Sequence, residues 1–451
     1  MEHKLFAGYA RQVAEPEESI PLGGYNNDAK RFHTAMTEDI CITCVALSDE
    51  ADSTVLMIAA DLCVAGFVAE LGRKEISRVT GLSEDRILIS VSHSHSAPGF
   101  IPKELPCVQR YVQKLVEIFG AVAVSALADR KPASMQAGSI ETHNLNFVKH
   151  YQAMDFTTGE LSVIGDQYGS VVGKRLLSHM TQVDPTLHVL KILRPAGKDI
   201  VIANFRAHPH FTGGYDKYDL SSDYIGAFRL ALEAMTDCHA VYFQGACGNT
   251  NSSTRMQAER VYTTCRSYGA GLAAVTLECI GKHLQPVEPT AIETKQLSFC
   301  GQINKPDKQL TEAATMINDL WNETFDRALC EEKGVPLGIH SPYHAMALLA
   351  NLKRTKEQDG LMVLNAVTLG KELAFITFPG EMYDTLSVRI EDDSPFEKTL
   401  LLGYCYHHVG YLPSLAAYKY GSYEVDVTRF APGTGEQVAD ACVDLLKQLK
   451  Q

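Results

Sequence analysis

The strongest constraint in this 451-residue chain is an alternation: short, wholly apolar runs of strand length are followed by amphipathic runs of helix length. Residues 54–60, Thr-Val-Leu-Met-Ile-Ala-Ala, make the first such run. A strand that is apolar on both faces must be covered on both, unlike the alternating strand of a half-solvated sheet. Residues 68–80 then read as an amphipathic helix, 86–91 as a second buried strand and 108–128 as a long helix. The pattern recurs as strand 199–206, helix 223–236, strand 239–243 and helix 256–281. A long helix near 307–330, strands near 361–369 and 373–378, a helix from about 382 and a closing helix over 434–449 complete it. This order predicts an α/β fold of mixed β-sheets flanked by helices. Gly and Pro are scattered as turn punctuation, and no repeat or low-complexity linker interrupts the pattern. Residues 1–451 are therefore expected to form a single large domain.

Charge and composition narrow the partners. The net charge of −13 repels phosphate backbones, so nucleic acid is not expected. No apolar run reaches the 18 or so residues needed to span a bilayer, and no transmembrane segment is expected. Residues 1–5, Met1-Glu2-His3-Lys4-Leu5, lack the apolar core of a signal peptide, which points to a cytoplasmic protein. The 12 cysteines are scattered, mostly in apolar contexts such as Cys63, Cys238, Cys279 and Cys442, and read as reduced core thiols. Cys41 and Cys44 form a CxxC, but inside a strand-like run and without a second such pair.

The polar groups that can carry chemistry follow the buried strands, where open α/β sheets place their sites. Ser92-His-Ser-His-Ser-Ala-Pro-Gly99 follows strand 86–91. In an extended segment His93 and His95 project to one face. Both imidazoles can then ligate one metal, or one can ligate while the other handles protons; satisfied loop histidines are the plainer reading. Asn204-Phe-Arg-Ala-His-Pro-His210 brings His208 and His210 to another strand end. Phe378-Pro-Gly-Glu381 ends strand 373–378, and Glu381 reads as opening a helix, where the free N–H groups favour a carboxylate. Two His and one Glu are also a common catalytic zinc set. His407 and His408 read as a surface pair, and the tyrosines around them as packing residues. Gln244-Gly-Ala-Cys-Gly-Asn-Thr-Asn251 offers small residues and amides that let a ligand approach the backbone. No Gly-x-Ser-x-Gly elbow and no phosphate-binding glycine loop accompanies them, so a serine hydrolase or a nucleoside triphosphatase is not indicated.

Taken in order, these segments resemble the catalytic region of the neutral/alkaline ceramidase family of zinc amidases. Ser92 to Gly99 resembles that family's Thr-His-Thr-His-Ser-Gly-Pro-Gly. Arg206-Ala-His-Pro209 resembles its second His-Pro element, and Pro379-Gly-Glu381 its Pro-Gly-Glu. Tyr411-Leu-Pro-Ser with Tyr423-Glu424 resembles its Tyr…Tyr-Glu block, and Ile20-Pro-Leu-Gly-Gly-Tyr25 its early segment. The resemblance implies a neutral ceramidase-like catalytic domain that binds Zn2+ through His93, His208, Glu381 and Tyr411. It makes His95 the proton-handling group and Tyr423 a donor to the substrate.

The departures fall around the implied metal. Near Asn146 to Tyr151 the family carries an Arg, where this chain offers Lys149 and His150. Its Gly-Asp-x-Ser-Pro reads Gly248-Asn-Thr-Asn-Ser252, so Asn251 takes the place of a substrate-contacting Ser and Asn249 that of an Asp. Gly248, Asn249 and Asn251 are the expected substrate-binding residues. The family also continues into a C-terminal β-sandwich domain beyond the residues present here. The expected activity is hydrolysis of an amide (N-acyl) bond in a small-molecule substrate. His95, Tyr423 and Lys149 would be the catalytic groups. Hydrolysis of an ester or glycosidic bond, or non-catalytic zinc binding, are the competing readings.

Overall fold

A computed structural model describes residues 5–25, 30–64, 66–165, 171–214, 216–406 and 408–450. Eight strands form the path of the main sheet, in the spatial order Cys238–Gln244, Asp199–Phe205, Thr186–Leu193, Lys131–Glu141, Leu5–Val13, Cys41–Asp49, Thr54–Ala60 and Ile87–Val91. The first and last pairs run parallel and the middle of the sheet is antiparallel. Each edge is thus a β-α-β crossover. Helix α1 (Gly66–Thr80) links the strands of one edge and α3 (Tyr224–Met235) those of the other.

Helices cover the outer face in two pairs. Helices α1 and α2 (Pro106–Ala128) share one apolar cluster with the strands at 41–49, 54–60 and 87–91. Helix α2 meets the length and composition of a membrane span, unlike the sequence expectation. Its apolar face, however, with Val108, Leu115, Phe119 and Val122, packs in that core. Helices α3 and α4 (Cys265–Lys282) make the equivalent cluster with the strands at 186–193, 199–205 and 238–244. On the inner face lies a second sheet, ordered Ile292–Cys300, Leu361–Leu369, Leu373–Thr377, Lys398–Leu402. Val45, Met57, Leu88 and Phe243 of the first sheet meet Val367, Phe375 and Leu400 of the second in one buried layer. Helix α8 (Asp384–Asp393) and α10 (Thr434–Lys450) close the far side of the second sheet. The outcome is four layers, with mixed sheets inside and helices outside.

Three expected elements differ. The helix expected over 256–281 begins at Cys265, where Thr264 and Ser267 cap each other reciprocally. The helix expected over 307–330 is two, α5 (Lys308–Thr324) and α6 (Arg327–Gly334). They are separated by Phe325 in the left-handed region (φ 51°) and by Asp326, which caps the second. Glu381 opens no helix. It lies in a two-residue bridge, Glu381–Met382, paired with Tyr411–Leu412, and α8 starts at Asp384.

The main sheet curls until its two edges approach each other and the Lys398–Leu402 strand. Residue 403 fastens the three together: its N–H donates to Gln244 O (2.8 Å) and its carbonyl accepts from Ser90 Oγ (2.7 Å). Asn204 Nδ2 donates to both Phe243 O and Leu401 O. A second clasp is ionic. Arg229 of α3 holds both carboxylate oxygens of Asp61, at 2.9 and 2.6 Å, and Asp61 itself accepts from the Cys41 amide. Both side chains are buried. Arg229→Ala is expected to leave that carboxylate uncompensated and to cost about 3–5 kcal/mol in urea unfolding. A loss below about 1 kcal/mol would show the pair to be screened like a surface bridge.

Candidate metal centre

The curled edges bring five imidazoles and a carboxylate together. His93 stands just beyond the Ile87–Val91 strand, with its amide on Leu62 O and φ at 63°. The segment is therefore a left-handed turn, not the extended run expected, yet the two rings still converge. His93 and His95 meet edge to face at 4.8 Å, with their Nε2 atoms 3.2 Å apart. His208 stands beyond the Asp199–Phe205 strand, bridged to Asn251. Glu381 is carried in by the Pro379-Gly380 turn, where Gly380 has φ 91° and a Cβ would lie 2.4 Å from Gly410 O.

The hydrogen bonds decide where the lone pairs point. His93 Nδ1 lies 2.6 Å from Cys63 O, and His208 Nδ1 2.5 Å from Cys247 O. A carbonyl only accepts, so each Nδ1 carries a proton, and in the neutral form of each ring the Nε2 lone pair points inward. Both Nε2 atoms face the same oxygen, Glu381 Oε2, at 3.4 and 3.3 Å. His208 Nε2 and Glu381 Oε2 are buried without an aligned hydrogen bond. Lone pairs opposed at that distance repel unless a cation or proton lies among them. Tetrahedral coordination at 2.0–2.1 Å sets ligand atoms about 3.3–3.4 Å apart. The His93, His208 and Glu381 donors therefore fit a zinc-sized ion.

Burial lowers His208 to about 4 and holds His95 and His210 well below the usual imidazole value. These are the protonation states that ligation needs. His95 falls in groups with Cys63 and His93, and with His208 and His210, but not in the group that holds Glu381. Its backbone is clasped by Arg31, whose Nη2 donates to His95 O and Gly23 O at 2.6 Å, and the Tyr25 ring stands 5.0 Å away. The segment 20–25 is thus part of the wall.

The remaining expected residues divide into two kinds. Tyr411 pairs with Glu381 along the short bridge, and the Tyr423 ring stands 5.9 Å from it. Lys149 Nζ lies 5.2 Å over the Tyr411 ring and 2.8 Å from Glu424 Oε1; His150 takes the other Glu424 oxygen at 2.8 Å. That pairing overcomes burial and holds the Glu424 carboxyl far below its usual range. Asn249 and Gly248, expected to meet substrate, secure the Glu381 segment. Asn249 Nδ2 donates to Asp384 Oδ1 and its Oδ1 accepts the Asp384 amide, while the Gly248 amide donates to Met382 O. Asn251 pairs with Phe147 in a short ladder beneath His208.

His408, expected in a surface pair, is 26 % exposed but turns inward: its Nε2 lies 3.7 Å from Glu381 Oε1, and burial lowers it to about 4. Its neighbour His407 lies outside the described residues. Tyr404, stacked on His93 at 4.2 Å, and Glu424 carried no signal in the sequence beyond aromatic clustering and adjacency to Tyr423.

No protein-family model matches the chain, and no curated protein matches it. Among solved structures, the neutral ceramidase from Pseudomonas aeruginosa superposes with a TM-score of 0.71 at 14% identity, over 100% of this chain and 75% of that one. A ceramidase complexed with C2 matches with the same score and identity, over 100% of this chain and 76% of that one. The chain therefore has a neutral ceramidase-like fold along its whole length.

Two outcomes follow from the site. A Cβ on Gly248 would lie 2.4 Å from Glu381 O, so Gly248→Ala should displace the carboxylate and weaken zinc binding by about ten-fold or more. Unchanged affinity by competition with a chelating dye would refute that. His208 and His408 have folded values near 4, below the 6.5 of the free imidazole, so between those limits the unfolded chain binds more protons. Stability present at pH 7 is then lost as pH falls toward 4. The urea midpoint of chelator-treated protein should be lower at pH 5 than at pH 7; equal midpoints would contradict the assignment.

Proposed function

We propose that this chain is a zinc-dependent hydrolase that cleaves an amide (N-acyl) bond of a small-molecule substrate. The observation that carries the reading is the convergence of His93, His208 and Glu381: both Nε2 atoms lie 3.3–3.4 Å from Glu381 Oε2, and all three donors lie within 4.8 Å of one another. The ceramidase-like fold supports it as an analogy of architecture. Tyr411, next to Glu381 across the bridge, is the proposed fourth ligand.

Bound zinc would supply a water whose pKa falls from 15.7 to about 7. The chain's own residues do the rest. His95 Nε2 points at His93 Nε2, 3.2 Å away, which places it against whatever the His93 lone pair holds. Burial keeps His95 neutral and so able to take a proton. It removes the proton of the attacking water and returns it to the leaving nitrogen, the work for which imidazole is suited. Tyr423 donates to the carbonyl oxygen as it becomes negative. Lys149 adds positive charge on the same side, oriented by Glu424 at 2.8 Å. A well-aimed donor of this kind contributes about 3–4 kcal/mol to the transition state.

The experiment is a panel of N-acyl compounds, screened with zinc-replete and chelated protein. Turnover that chelation abolishes and zinc restores is expected. His93→Ala should lose both bound zinc and turnover. His95→Ala should keep the zinc and lose turnover by about 100-fold or more. A His95→Ala protein without zinc would overturn the division of roles, and turnover indifferent to chelation would overturn the metal chemistry.

A further inference from the structure

A second group of ligating side chains lies away from the site described above. His340 precedes helix α7 (Pro342–Lys353), His344 is in its first turn, and Asp426 belongs to helix α9 (Tyr423–Val427). One ring nitrogen of each histidine and one oxygen of Asp426 all lie within 4.8 Å of one another. We propose that His340, His344 and Asp426 form a second site for a divalent transition-metal ion of the zinc class, joining α7 to α9.

The local sequence builds the group. In His340-Ser-Pro-Tyr-His344, Ser341 caps the helix and its Oγ accepts the His344 amide at 3.1 Å. Pro342 in the first turn fixes the backbone. Four residues apart, the two imidazoles then face each other with ring centres 5.0 Å apart. Asp426 Oδ1 lies 2.8 Å from His340 Nδ1, within hydrogen-bond reach, and 3.8 Å from His344 Nδ1. His344 Nδ1 also accepts the His340 amide at 3.3 Å, a long bond that coordination would replace.

The donor chemistry and the burial agree with a metal. Two imidazoles and a carboxylate suit zinc and its neighbours in the first transition row. Asp426 and His344 are 11 % and 13 % exposed, whereas His340 is 55 % exposed. The group is therefore rooted in the protein and open on one side, where an ion can enter and keep a water.

The place in the fold gives the site a task. Helix α9 has five residues, too few to hold its shape unaided, and it begins with Tyr423 and Glu424. Glu424 anchors Lys149 and His150, and the Tyr343 ring of α7 stands 6.3 Å from that of Tyr423. An ion bound by α7 and α9 would hold these groups in register from behind. The inference does not depend on the first site being a zinc centre.

The test is metal counting on the full chain, stripped with chelator and titrated with Co2+ and Zn2+. Wild-type protein should bind two equivalents. Asp426→Asn should bind one, Glu381→Gln should bind one, and their combination none. His340→Ala, which alters an exposed side chain and so spares the fold, should weaken one equivalent by about ten-fold or more. A wild type with one equivalent, lost in Glu381→Gln and kept in Asp426→Asn, overturns the second site and leaves the proposed function standing. One equivalent kept in Glu381→Gln and lost in Asp426→Asn supports the second site and overturns the first. Two equivalents bound by His340→Ala as tightly as by wild type also overturn the inference.

Discussion

Everything in the site depends on two hydrogen bonds to backbone carbonyls. Cys63 O and Cys247 O each take the Nδ1 proton of an imidazole, and so turn the Nε2 lone pairs of His93 and His208 onto a buried carboxylate. Without a cation or a proton among them, those three lone pairs repel one another. The protein sustains that arrangement because each group is held by backbone, not by the others. His93 is fixed by its own left-handed turn, His208 by its bridge to Asn251, and Glu381 by the Pro379-Gly380 turn and its pairing with Tyr411. A site preorganised in this way offers its charge to an ion without rearrangement.

The fold supplies the convergence. His93 follows the strand at one edge of the sheet and His208 the strand next to the other edge, which in a flat sheet would be far apart. Curling of that sheet over the second one brings the edges together, and the bonds of residue 403 to Ser90 and Gln244 lock them. The second sheet delivers Glu381 from the end of its Leu373–Thr377 strand to the same point. Residues of the Gly248-Asn249 loop work as spacers for that delivery. Asn249 is bonded to Asp384, and Gly248 leaves room for the Glu381 carbonyl.

Much of this was legible in the chain before its structure. Buried strands such as 54–60 and 86–91 have no polar face, and the motifs at their ends stand out against them. The strands at 5–13, 131–141, 186–193 and 292–300 carried no comparable signal. The last of them is mostly exposed, so it never forms an apolar run. Local caps explain two other discrepancies: the reciprocal Thr264–Ser267 cap starts α4, and Asp326 restarts a helix after Phe325. Glu381 was misplaced because a Pro-Gly before a helix-forming stretch looks like a helix entry. The bridge to Tyr411 that replaces it is a contact between distant segments. His408 was missed for the same reason, since its partner is 27 positions away in the chain and no periodicity links them.

The proposed function requires one cation site, defined by His93, His208 and Glu381. Anomalous diffraction at the zinc edge, from crystals of zinc-loaded protein, locates it. A peak is expected about 2.0–2.2 Å from His93 Nε2, His208 Nε2 and Glu381 Oε2 together. No peak there, or a peak centred on Cys63, His95 or His210 and out of reach of Glu381, would overturn it.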